Sequence, residues 1–465
     1  MSHFAAIDLG ASSGRVAVGS LNDGKLTFEI IHRFPNKPIE TIDGSLLWDW
    51  DFLNNEIRTG LEQAATKYTL TSVAVDTWAV DYILLNSEGE ITAPTYSYRD
   101  DRTDGIMEIA IESFGREALY STTGIQFLPF NTVYQLIAAR DAGELSAGNT
   151  LVMLPDAINF ELTGVVSTEI SNASTTQLLD TKSRTWDWKL IEELNLPKEV
   201  FPKLHEARTH IGKIQNFGPL DGIDVVAVGS HDTASAVAGA PIEDSSSELY
   251  ISSGTWSLVG CEIDAPITSA KAMEYNLTNE LGVEGKVRLL KNVSGMWIIS
   301  ELLREWAEVG ESITAAELVN MAQEVADNKT IIDPNNPLFI HPGKMVERIT
   351  YLASQNNQPI PESKGEIARC VYESLAHSYK TVIAQLEEVT GRSFKKIRVV
   401  GGGSANDLLN QLTASITGLE LSAGPVEATL LGNVGMQAII AGEISDLSHL
   451  RKVIKDSFEL KEFKP

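Results

Sequence analysis

One pattern occurs twice in this chain and limits its fold more than any other feature. Residues 5–21, AAIDLGASSGRVAVGSL, and residues 248–263, ELYISSGTWSLVGCEI, each read as an apolar strand, a turn of small polar residues and a second apolar strand. The second copy follows the polar run EDSSSE at 243–248. Because 465 residues are too many for one small core, we predict an α/β duplication with domains at 1–242 and 243–465.

After the opening segment, NDGK at 22–25 predicts a tight turn between two strands. Strands alternate with helices along the rest of the sequence. Residues 72–85 predict a strand pair, and the spacing of apolar residues at 106–124 predicts a helix closed by Gly124. Residues 222–240 and 396–418 each read as a strand, a small-residue bend and a helix. This alternation is typical of α/β proteins.

Composition and charge exclude several classes of function. A formal net charge of −26 disfavours nucleic acid or an anionic membrane as the main partner, because phosphate groups repel such a surface. The start of the chain has no secretory pattern and no segment has the length of a membrane span, so we predict a soluble cytoplasmic protein. Cys261 and Cys370 are the only cysteines, and we expect both to be reduced and buried. No histidine spacing indicates a metal site.

The opening turn, DLGASSGR, has the residue types of a phosphate and metal site. Asp8 at a strand end could hold a magnesium-bound water, while Gly10 and Gly14 would let backbone N–H groups approach an oxyanion. The motifs of a dinucleotide fold and of a P-loop are both absent. The side chains of Ser12, Ser13 and Arg15 would add further donors to such a phosphate site. Taken alone, however, the turn favours an ordinary hairpin with a solvated arginine.

Two later loops carry the same kind of chemistry. In SSGTWS, residues 252–255 could face phosphate oxygens, although a plain glycine turn explains the segment equally well when it stands alone. VVGGGSAND at 399–407 could accommodate a phosphate or sugar at a helix N-terminus, or could be a tight connection with Ser404 or Asn406 near the helix cap. The presence of a similar turn at the start of each half favours a nucleotide clamp.

Asp232, in GSHDTASAV, lies where an apolar strand gives way to a helix. The residue could cap the helix, which is the safer interpretation of this segment alone. It could also act as a general base that takes the proton of a hydroxyl as the hydroxyl attacks a γ-phosphoryl group. His231 fits a packed residue and a substrate contact equally well.

Acids, aromatics and arginines gather near two predicted strand ends, DTWAVDY at 76–82 and YRDDRT at 98–103. Sugar sites use such residues, since aromatics stack on ring faces and charged groups fix hydroxyls. A solvated, salt-linked surface is the alternative, and it is favoured for Asp101 and Arg102. Asn292, in KNVSGMW, could bind a hydroxyl or cap the next helix.

Together these motifs resemble the FGGY family of carbohydrate kinases. The resemblance extends in order from about Ile7 to Gly442. The opening turn and VVGGG are shared across sugar kinases, whereas DTWAVD, GIQFLPFNT and SHDTASAVAGAP point to the branch that acts on L-rhamnulose. The motifs in chain order are DLGASSGR, DTWAVD, YRDDRT, GIQFLPFNT, SHDTASAV, SSGTWSL, KNVSGMW, VVGGGSAND and GPVEATLLGN.

The resemblance implies two actin-like, ribonuclease-H-like α/β ATPase domains that bind ATP, Mg²⁺ and a sugar in an interdomain cleft and close on binding. It implies transfer of the γ-phosphoryl group of MgATP to the 1-hydroxyl of L-rhamnulose, with Asp232 as general base and Asp8 holding Mg²⁺ through water. No protein partner is implied. The implied contacts with ATP are Ala11, Ser12, Ser13, Gly14, Arg15, Thr255 and Gly402, and those with the sugar are Ala79, His231, Asp232, Thr233 and Asn292.

Two positions depart from the pattern of the family. Ala79 stands where a glycine is usual, which adds a Cβ near the sugar. Ser300 stands where a glutamine contacts the nucleotide, so we leave Ser300 out of the site. The alternatives are a kinase of the same family for L-fuculose, ribulose, xylulose or a polyol, a non-catalytic ATP or sugar sensor, and an actin-like filament or chaperone ATPase.

Overall fold

A computed structural model describes residues 2–326 and 328–465. The strands are β1 (Phe4–Leu9), β2 (Ser13–Asn22), β3 (Lys25–Pro35), β4 (Ile39–Glu40), β5 (Leu46–Leu47), β6 (Ser72–Thr77), β7 (Tyr82–Leu85), β8 (Thr150–Met153), β9 (Thr168–Glu169), β10 (Leu179–Asp180), β11 (Thr185–Trp186), β12 (Leu204–His205), β13 (His210–Lys213), β14 (Asp224–Val226), β15 (Glu248–Ser253), β16 (Trp256–Ile263), β17 (Thr278–Leu281), β18 (Val287–Ser294), β19 (Lys396–Val400), β20 (Glu420–Ala423) and β21 (Lys461–Phe463). The helices are α1 (Trp50–Lys67), α2 (Ile106–Phe114), α3 (Arg116–Tyr120), α4 (Thr132–Asp141), α5 (Leu154–Thr163), α6 (Ile170–Ala173), α7 (Trp188–Glu193), α8 (Asp232–Ala238), α9 (Ala270–Glu274), α10 (Trp297–Glu308), α11 (Ala315–Gln323), α12 (Met345–Gln355), α13 (Lys364–Thr390), α14 (Asp407–Thr417), α15 (Ala428–Ile440) and α16 (Leu447–Ser457).

The chain divides into two compact units. The first contains 1–243, 262–290 and 428–458, and the second contains 244–261, 291–427 and 459–465. A late helix, α15, therefore belongs to the first unit. The predicted boundary between residues 242 and 243 stays a prediction.

A six-stranded sheet in the order β13-β14-β6-β1-β2-β3 forms the centre of the first unit. β1 runs parallel to β6 and antiparallel to β2. Alternate residues of β1 pack on opposite faces: Ile7 joins the core cluster under α1 and α5, and Ala6 joins the cluster under α15 and α16. Since helices cover both faces, the central strands are almost continuously apolar, as the sequence indicated.

The second unit contains a sheet in which β16, β15, β19, β20 and β21 lie in that order. β15 pairs antiparallel with β16 and parallel with β19, which in turn runs parallel to β20. The long helix α13 begins at a capping box in which Ser363 and Glu366 satisfy each other's backbone N–H groups. Strands and helices alternate in both units, so the predicted α/β class is confirmed.

Local predictions were confirmed where the turn chemistry was explicit. β2 and β3 pair through a turn at Asp23 and Gly24, whose φ angles of 49° and 75° explain this choice of residues. The predicted pairing within 72–85 is wrong, because β6 pairs with β1 and β14 whereas β7 pairs with β8. The single helix expected over 106–124 is also wrong, since Gly115 adopts a φ of 81° and separates α2 from α3.

Both cysteines, Cys261 and Cys370, are buried and form no disulfide, as predicted. Burial raises the pKa of the Cys370 thiol to about 12. Within the described ranges, no helix has both the length and the apolar character needed to cross a bilayer.

Candidate active site

The first unit brings two carboxylates together at the carboxyl ends of its central strands. Asp8 of β1 lies directly beside Asp76 of β6 in the parallel register. Both side chains are buried. Strand ends of this kind are where open α/β sheets usually bind their ligands.

The opening turn is held by an ion pair across the hairpin. Arg15 is the register partner of Asp8, and its Nε and Nη2 donate to Asp8 Oδ2 at 2.9 and 2.6 Å. A solvated Arg15, the expectation for an ordinary hairpin, is therefore wrong. Gly14 is required by packing, because a Cβ there would lie 2.3 Å from the ring of Phe34. In the same turn Ala11 and Ser13 are half-buried, whereas Ser12 is exposed.

Asp76 begins the DTWAVDY segment, but the sequence did not predict that it lies beside Asp8. Its Oδ2 accepts a 2.6 Å hydrogen bond from Asn433 of α15, whereas Oδ1 is buried without a hydrogen-bond partner in the described part of the chain. Burial raises the pKa of Asp76 well above its ordinary value; Asp8 and Asp232 raise it further, and the bond from Asn433 opposes them. The sequence did contain a signal for this role, because Asp76 lies at the end of an apolar strand just as Asp8 lies at the end of β1.

Backbone contacts fix the turn that carries Asp232 beside β6. Thr77 N–H donates to the carbonyl of Ser230 at 2.9 Å, and Thr77 forms a parallel bridge with His231. His231 occupies the N-cap position of α8, and Asp232 is the first helical residue. The capping role that the segment alone favoured is therefore wrong for Asp232.

The carboxylate of Asp232 is partly open to solvent, with its side chain 30% exposed. Its Oδ1 accepts a 3.1 Å hydrogen bond from the hydroxyl of Thr233 and lies 3.4 Å from Nε2 of His231. Burial raises the pKa of Asp232, while His231 and Thr233 lower it. A carboxylate with a raised pKa is better matched to proton transfer near neutral pH than an ordinary aspartate.

Glu169 is a residue that the sequence analysis missed. Its Oε2 accepts hydrogen bonds from the backbone N–H and the hydroxyl of Ser230 at 3.1 and 2.8 Å, and from both donors of Ser171. The Ser171 hydroxyl in turn accepts from His231 N–H at 3.1 Å. One buried carboxylate therefore fixes the backbone that leads into Asp232. Nothing in the local sequence indicated this contact, which spans 61 residues.

Ala79 lies half-buried in the loop between β6 and β7. Beside it, Asp81 accepts hydrogen bonds from the indole N–H groups of Trp48 and Trp78 at 2.7 and 2.9 Å, and from Gln135 at 3.0 Å. Burial raises the pKa of Asp81 to about 6, although these bonds oppose the shift. Trp78 is consequently a core residue of this structure.

The YRDDRT segment is less solvated than predicted. The guanidinium of Arg102 stacks 3.8 Å from the ring of Tyr96 and donates to Gln135 Oε1 at 3.1 Å. Asp101 is exposed. Nη1 of Arg102 also lies 3.7 Å from Glu144 Oε2, so the expected salt link is present, but the side chain is only 16% exposed and the expected solvation is wrong.

In the second unit, the turn between β15 and β16 is built from backbone contacts. Gly254 N–H donates to the carbonyl of Trp256 at 2.8 Å, and the start of α10 donates to the turn from Met296 and Trp297 at 3.0 and 3.2 Å. The carbonyl that accepts from Trp297 is that of Thr255, which is half-buried. No charged side chain takes part in these bonds.

The three glycines after β19 differ in what surrounds them. A Cβ at Gly401 or Gly403 would lie 2.8 or 1.9 Å from atoms of Ser253, whereas a Cβ at Gly402 would meet no described atom within 4 Å. Asn406 caps α14 by accepting from Leu409 N–H at 3.0 Å, as one interpretation of the segment predicted. Open space beside Gly402 is compatible with a bound ligand.

The predicted site residues thus fall into two groups. The first unit contains Asp8, the 11–15 turn, Ala79 and the 231–233 segment, and among them Asp8 and Asp232 both lie close enough to influence Asp76. The second unit contains Thr255, Gly402 and Asn292, of which Asn292 lies half-buried on β18. Their roles in binding stay predictions.

Comparison with known proteins gives one family. The N-terminal domain of the FGGY family of carbohydrate kinases matches residues 4–239, and its C-terminal domain matches 249–441. The chain is 41% identical over 467 residues to the rhamnulokinase of Mannheimia succiniciproducens, covering 99% of this chain and 95% of the relative. It is 40% identical over 470 residues to the rhamnulokinase of Halalkalibacterium halodurans, covering 100% and 99%.

Solved structures show the same fold at lower identity. A ligand-bound xylulose kinase from Lactobacillus acidophilus matches with a TM-score of 0.82 at 18% identity, covering 100% of this chain and 94% of that chain. A glycerol kinase from Plasmodium falciparum with ADP matches with a TM-score of 0.77 at 16% identity and the same coverage. The predicted fold class of two actin-like α/β domains is confirmed.

Proposed function

This chain belongs to the FGGY family of carbohydrate kinases, and we propose that it transfers the γ-phosphoryl group of ATP to the 1-hydroxyl of L-rhamnulose. The observation that carries the choice of sugar is the identity of about 41% to rhamnulokinases along nearly the full length of both chains. The products are L-rhamnulose 1-phosphate and ADP. As a kinase of this family the chain uses ATP as its phosphoryl donor.

Asp232 is the general base in this proposal. Thr233 and His231 both approach Oδ1, so we assign Oδ2 as the oxygen that accepts the proton of the sugar hydroxyl. As it loses its proton, the hydroxyl oxygen attacks the γ-phosphorus in line with the departing ADP oxygen. Partial burial supports the role, because it brings the pKa of Asp232 closer to the pH of the reaction.

Phosphate binding is assigned to backbone and side-chain donors of the 11–15 turn. In the second unit, nucleotide contacts are assigned to Thr255 and Gly402. The ion pair of Arg15 with Asp8 places that guanidinium at the turn. We assign contacts with the ketose to Ala79, His231, Thr233 and Asn292.

The first unit also has residues that fit Mg²⁺. Asp8 and Asp76 supply oxygen atoms, the ligand type that Mg²⁺ prefers, and Asp76 Oδ1 is an unsatisfied acceptor among the described residues. The described side chains form no cage of three or more protein ligands, so the ion would be shared with phosphate oxygens. Asp8 would hold it through water, and the bound ion would neutralise phosphate charge.

We place the reaction in the cytoplasm, where ATP is available. Both substrates are small molecules, and a net charge of −26 leaves nucleic acid and anionic membranes as poor partners.

The test is a comparison of kcat/KM for L-rhamnulose, L-fuculose, L-ribulose, D-xylulose and glycerol. Turnover is measured as the release of ADP from MgATP, and one control contains no sugar. We expect kcat/KM for L-rhamnulose to exceed that of the next sugar by about tenfold or more, which is the discrimination that a few pocket contacts supply. A preference for another sugar would overturn the assigned specificity but keep the kinase. ADP release that does not depend on sugar would indicate an ATPase, and ATP binding without turnover would indicate a sensor.

A further inference from the structure

The imidazole of His231 lies between the candidate base and a buried ion pair. Nε2 lies 3.4 Å from Asp232 Oδ1. On the other side of the ring, Nδ1 lies 3.1 Å from Nη2 of Arg288 and 3.3 Å from Oε2 of Glu280. The side chain is only 7% exposed, so the protein determines what each ring nitrogen faces.

Arg288 and Glu280 form a buried ion pair. They are register partners on the antiparallel strands β17 and β18, and their side chains meet at 3.2 Å. Arg288 is 1% exposed, and its Nε and Nη2 also donate to the carbonyl of Leu281 at 3.3 and 3.2 Å. A buried guanidinium that donates twice to one carbonyl and lies 3.2 Å from a carboxylate has little freedom to turn away from the ring.

The contact from Arg288 determines where the imidazole carries its proton. A guanidinium is always protonated and has no acceptor, so a hydrogen bond from Nη2 requires a lone pair on Nδ1. In a neutral imidazole the proton is then on Nε2, the atom that faces Asp232. If Glu280 accepted a proton from Nδ1 instead, Nη2 of Arg288 would face an N–H group and repel it.

We propose that Arg288, held in place by Glu280, is a positioning residue for phosphoryl transfer: it keeps the proton of His231 on Nε2, and this N–H holds Asp232 Oδ1. The inference rests on the proposed function, in which Asp232 is the base. Because Oδ1 accepts from the Thr233 hydroxyl and lies 3.4 Å from Nε2 of His231, we assign Oδ2 of Asp232 to the sugar hydroxyl. Neither Glu280 nor Arg288 belongs to the motifs that marked the site in the sequence.

The first measurement is the tautomer of His231 in the wild-type protein. Two-bond ¹H–¹⁵N spectra of protein labelled with ¹⁵N-histidine distinguish a ring protonated on Nε2 from one protonated on Nδ1, and the His231→Gln variant identifies the signal. We expect the proton on Nε2. A wild-type ring protonated on Nδ1 overturns the inference, and this result does not depend on turnover or on the choice of sugar.

Variants of the pair extend the test. In Arg288→Met, Glu280 is left to accept a proton from Nδ1, so we expect the tautomer to change and kcat to fall by about 10- to 100-fold while KM for ATP stays within about twofold. Arg288→Lys keeps a donor and should recover part of kcat. Glu280→Gln should leave the proton on Nε2, because Arg288 remains.

Arg398→Met is the matched control. Arg398 is equally buried and pairs with Glu248 at 2.8 Å in the second unit, so this variant also breaks a buried ion pair. We expect the folded Arg398→Met protein to have a kcat within about twofold of the wild type. Equal losses of kcat in Arg288→Met and Arg398→Met, or a proton on Nδ1 in Glu280→Gln, would overturn the inference. If Arg288→Met does not fold, Arg288→Lys and Glu280→Gln give the same decision.

Discussion

The two strand–turn–strand segments share a backbone plan but differ in chemistry. Between β1 and β2, the turn is fixed by the ion pair of Asp8 and Arg15 and lies beside the buried carboxylate of Asp76. Between β15 and β16, the turn is fixed by backbone hydrogen bonds from the start of α10, and its glycines and hydroxyls carry no charge. Similar sequence patterns therefore produce one acidic region and one neutral region.

The difference indicates a division of roles. Carboxylates at strand ends suit proton transfer and a divalent cation, whereas small residues and exposed backbone suit the close approach of a nucleotide. Substitution of the carboxylate Asp232 in the first unit should thus reduce the chemical step, and substitution of Gly402 in the second should reduce nucleotide affinity. The variants Asp232→Asn and Gly402→Ala test this division directly.

The largest effect is expected for Asp232→Asn. Asparagine keeps the size of the side chain but cannot accept the proton, so kcat should fall by about 10²- to 10⁴-fold. The dissociation constant of ATP, measured by calorimetry, should stay within about twofold. Asp51→Asn, at an exposed position of α1, is the control and should match the wild type. A kcat near that of the wild type in Asp232→Asn would remove this residue from the role of base.

Next in size is the contrast between Gly402→Ala and Gly403→Ala. Because a Cβ at Gly402 meets no described atom within 4 Å, the fold should tolerate it, but the methyl group would occupy nucleotide space and raise KM for ATP by about tenfold. A Cβ at Gly403 would lie 1.9 Å from Ser253 Oγ, so that variant should lose about 1–3 kcal/mol of unfolding free energy. Unchanged KM for ATP in Gly402→Ala would argue against a nucleotide at this loop.

Asp81 gives a pH-dependent prediction for stability. Its pKa is raised to about 6 in the folded protein, so the folded state binds the proton more tightly than the unfolded state does. The wild type should therefore lose unfolding free energy as pH rises from about 4 to about 6, whereas Asp81→Asn lacks this contribution. Between pH 5 and pH 7.5, the advantage of the wild type over Asp81→Asn should shrink by about 1 kcal/mol in urea unfolding. A difference that does not vary with pH would contradict the raised pKa.

The smallest effect is expected for Ala79→Gly. The residue is half-buried beside the Asp81 network, and removing its Cβ changes only the space offered to the sugar. We expect KM for L-rhamnulose to change by less than about threefold, since one methylene in a pocket has a limited effect. A change above tenfold would make Ala79 a determinant of specificity.

The sequence was most informative where a signal is local. The Asp23–Gly24 turn, the cap at Asn406 and the two strand–turn–strand segments were all readable, because turn residues and alternating apolar positions specify them directly. Asp76 and Glu169 were not, because their importance depends on the register of β6 with β1 and on a bond to Ser230. Such contacts join residues that are far apart in the chain, so no window of sequence contains them.

The same limit explains the local errors. The segment at 72–85 contains two strands, but only the tertiary structure determines that β6 pairs with β1 while β7 pairs with β8. Arg15 appeared as a solvated donor because its partner, Asp8, lies seven residues away across a hairpin whose register was unknown. The sequence therefore predicted which segments form strands and turns better than it predicted which residues contact each other.

The most direct test of the central claim is the structure of the reaction product. The purified protein is incubated with MgATP and L-rhamnulose, and the phosphorylated sugar is examined by ³¹P and ¹H NMR. We predict one product, in which the phosphorus couples to the protons of C1, with one ADP formed for each phosphorylated sugar. Phosphate on another carbon, or ADP formed with inorganic phosphate and no sugar phosphate, would contradict the account.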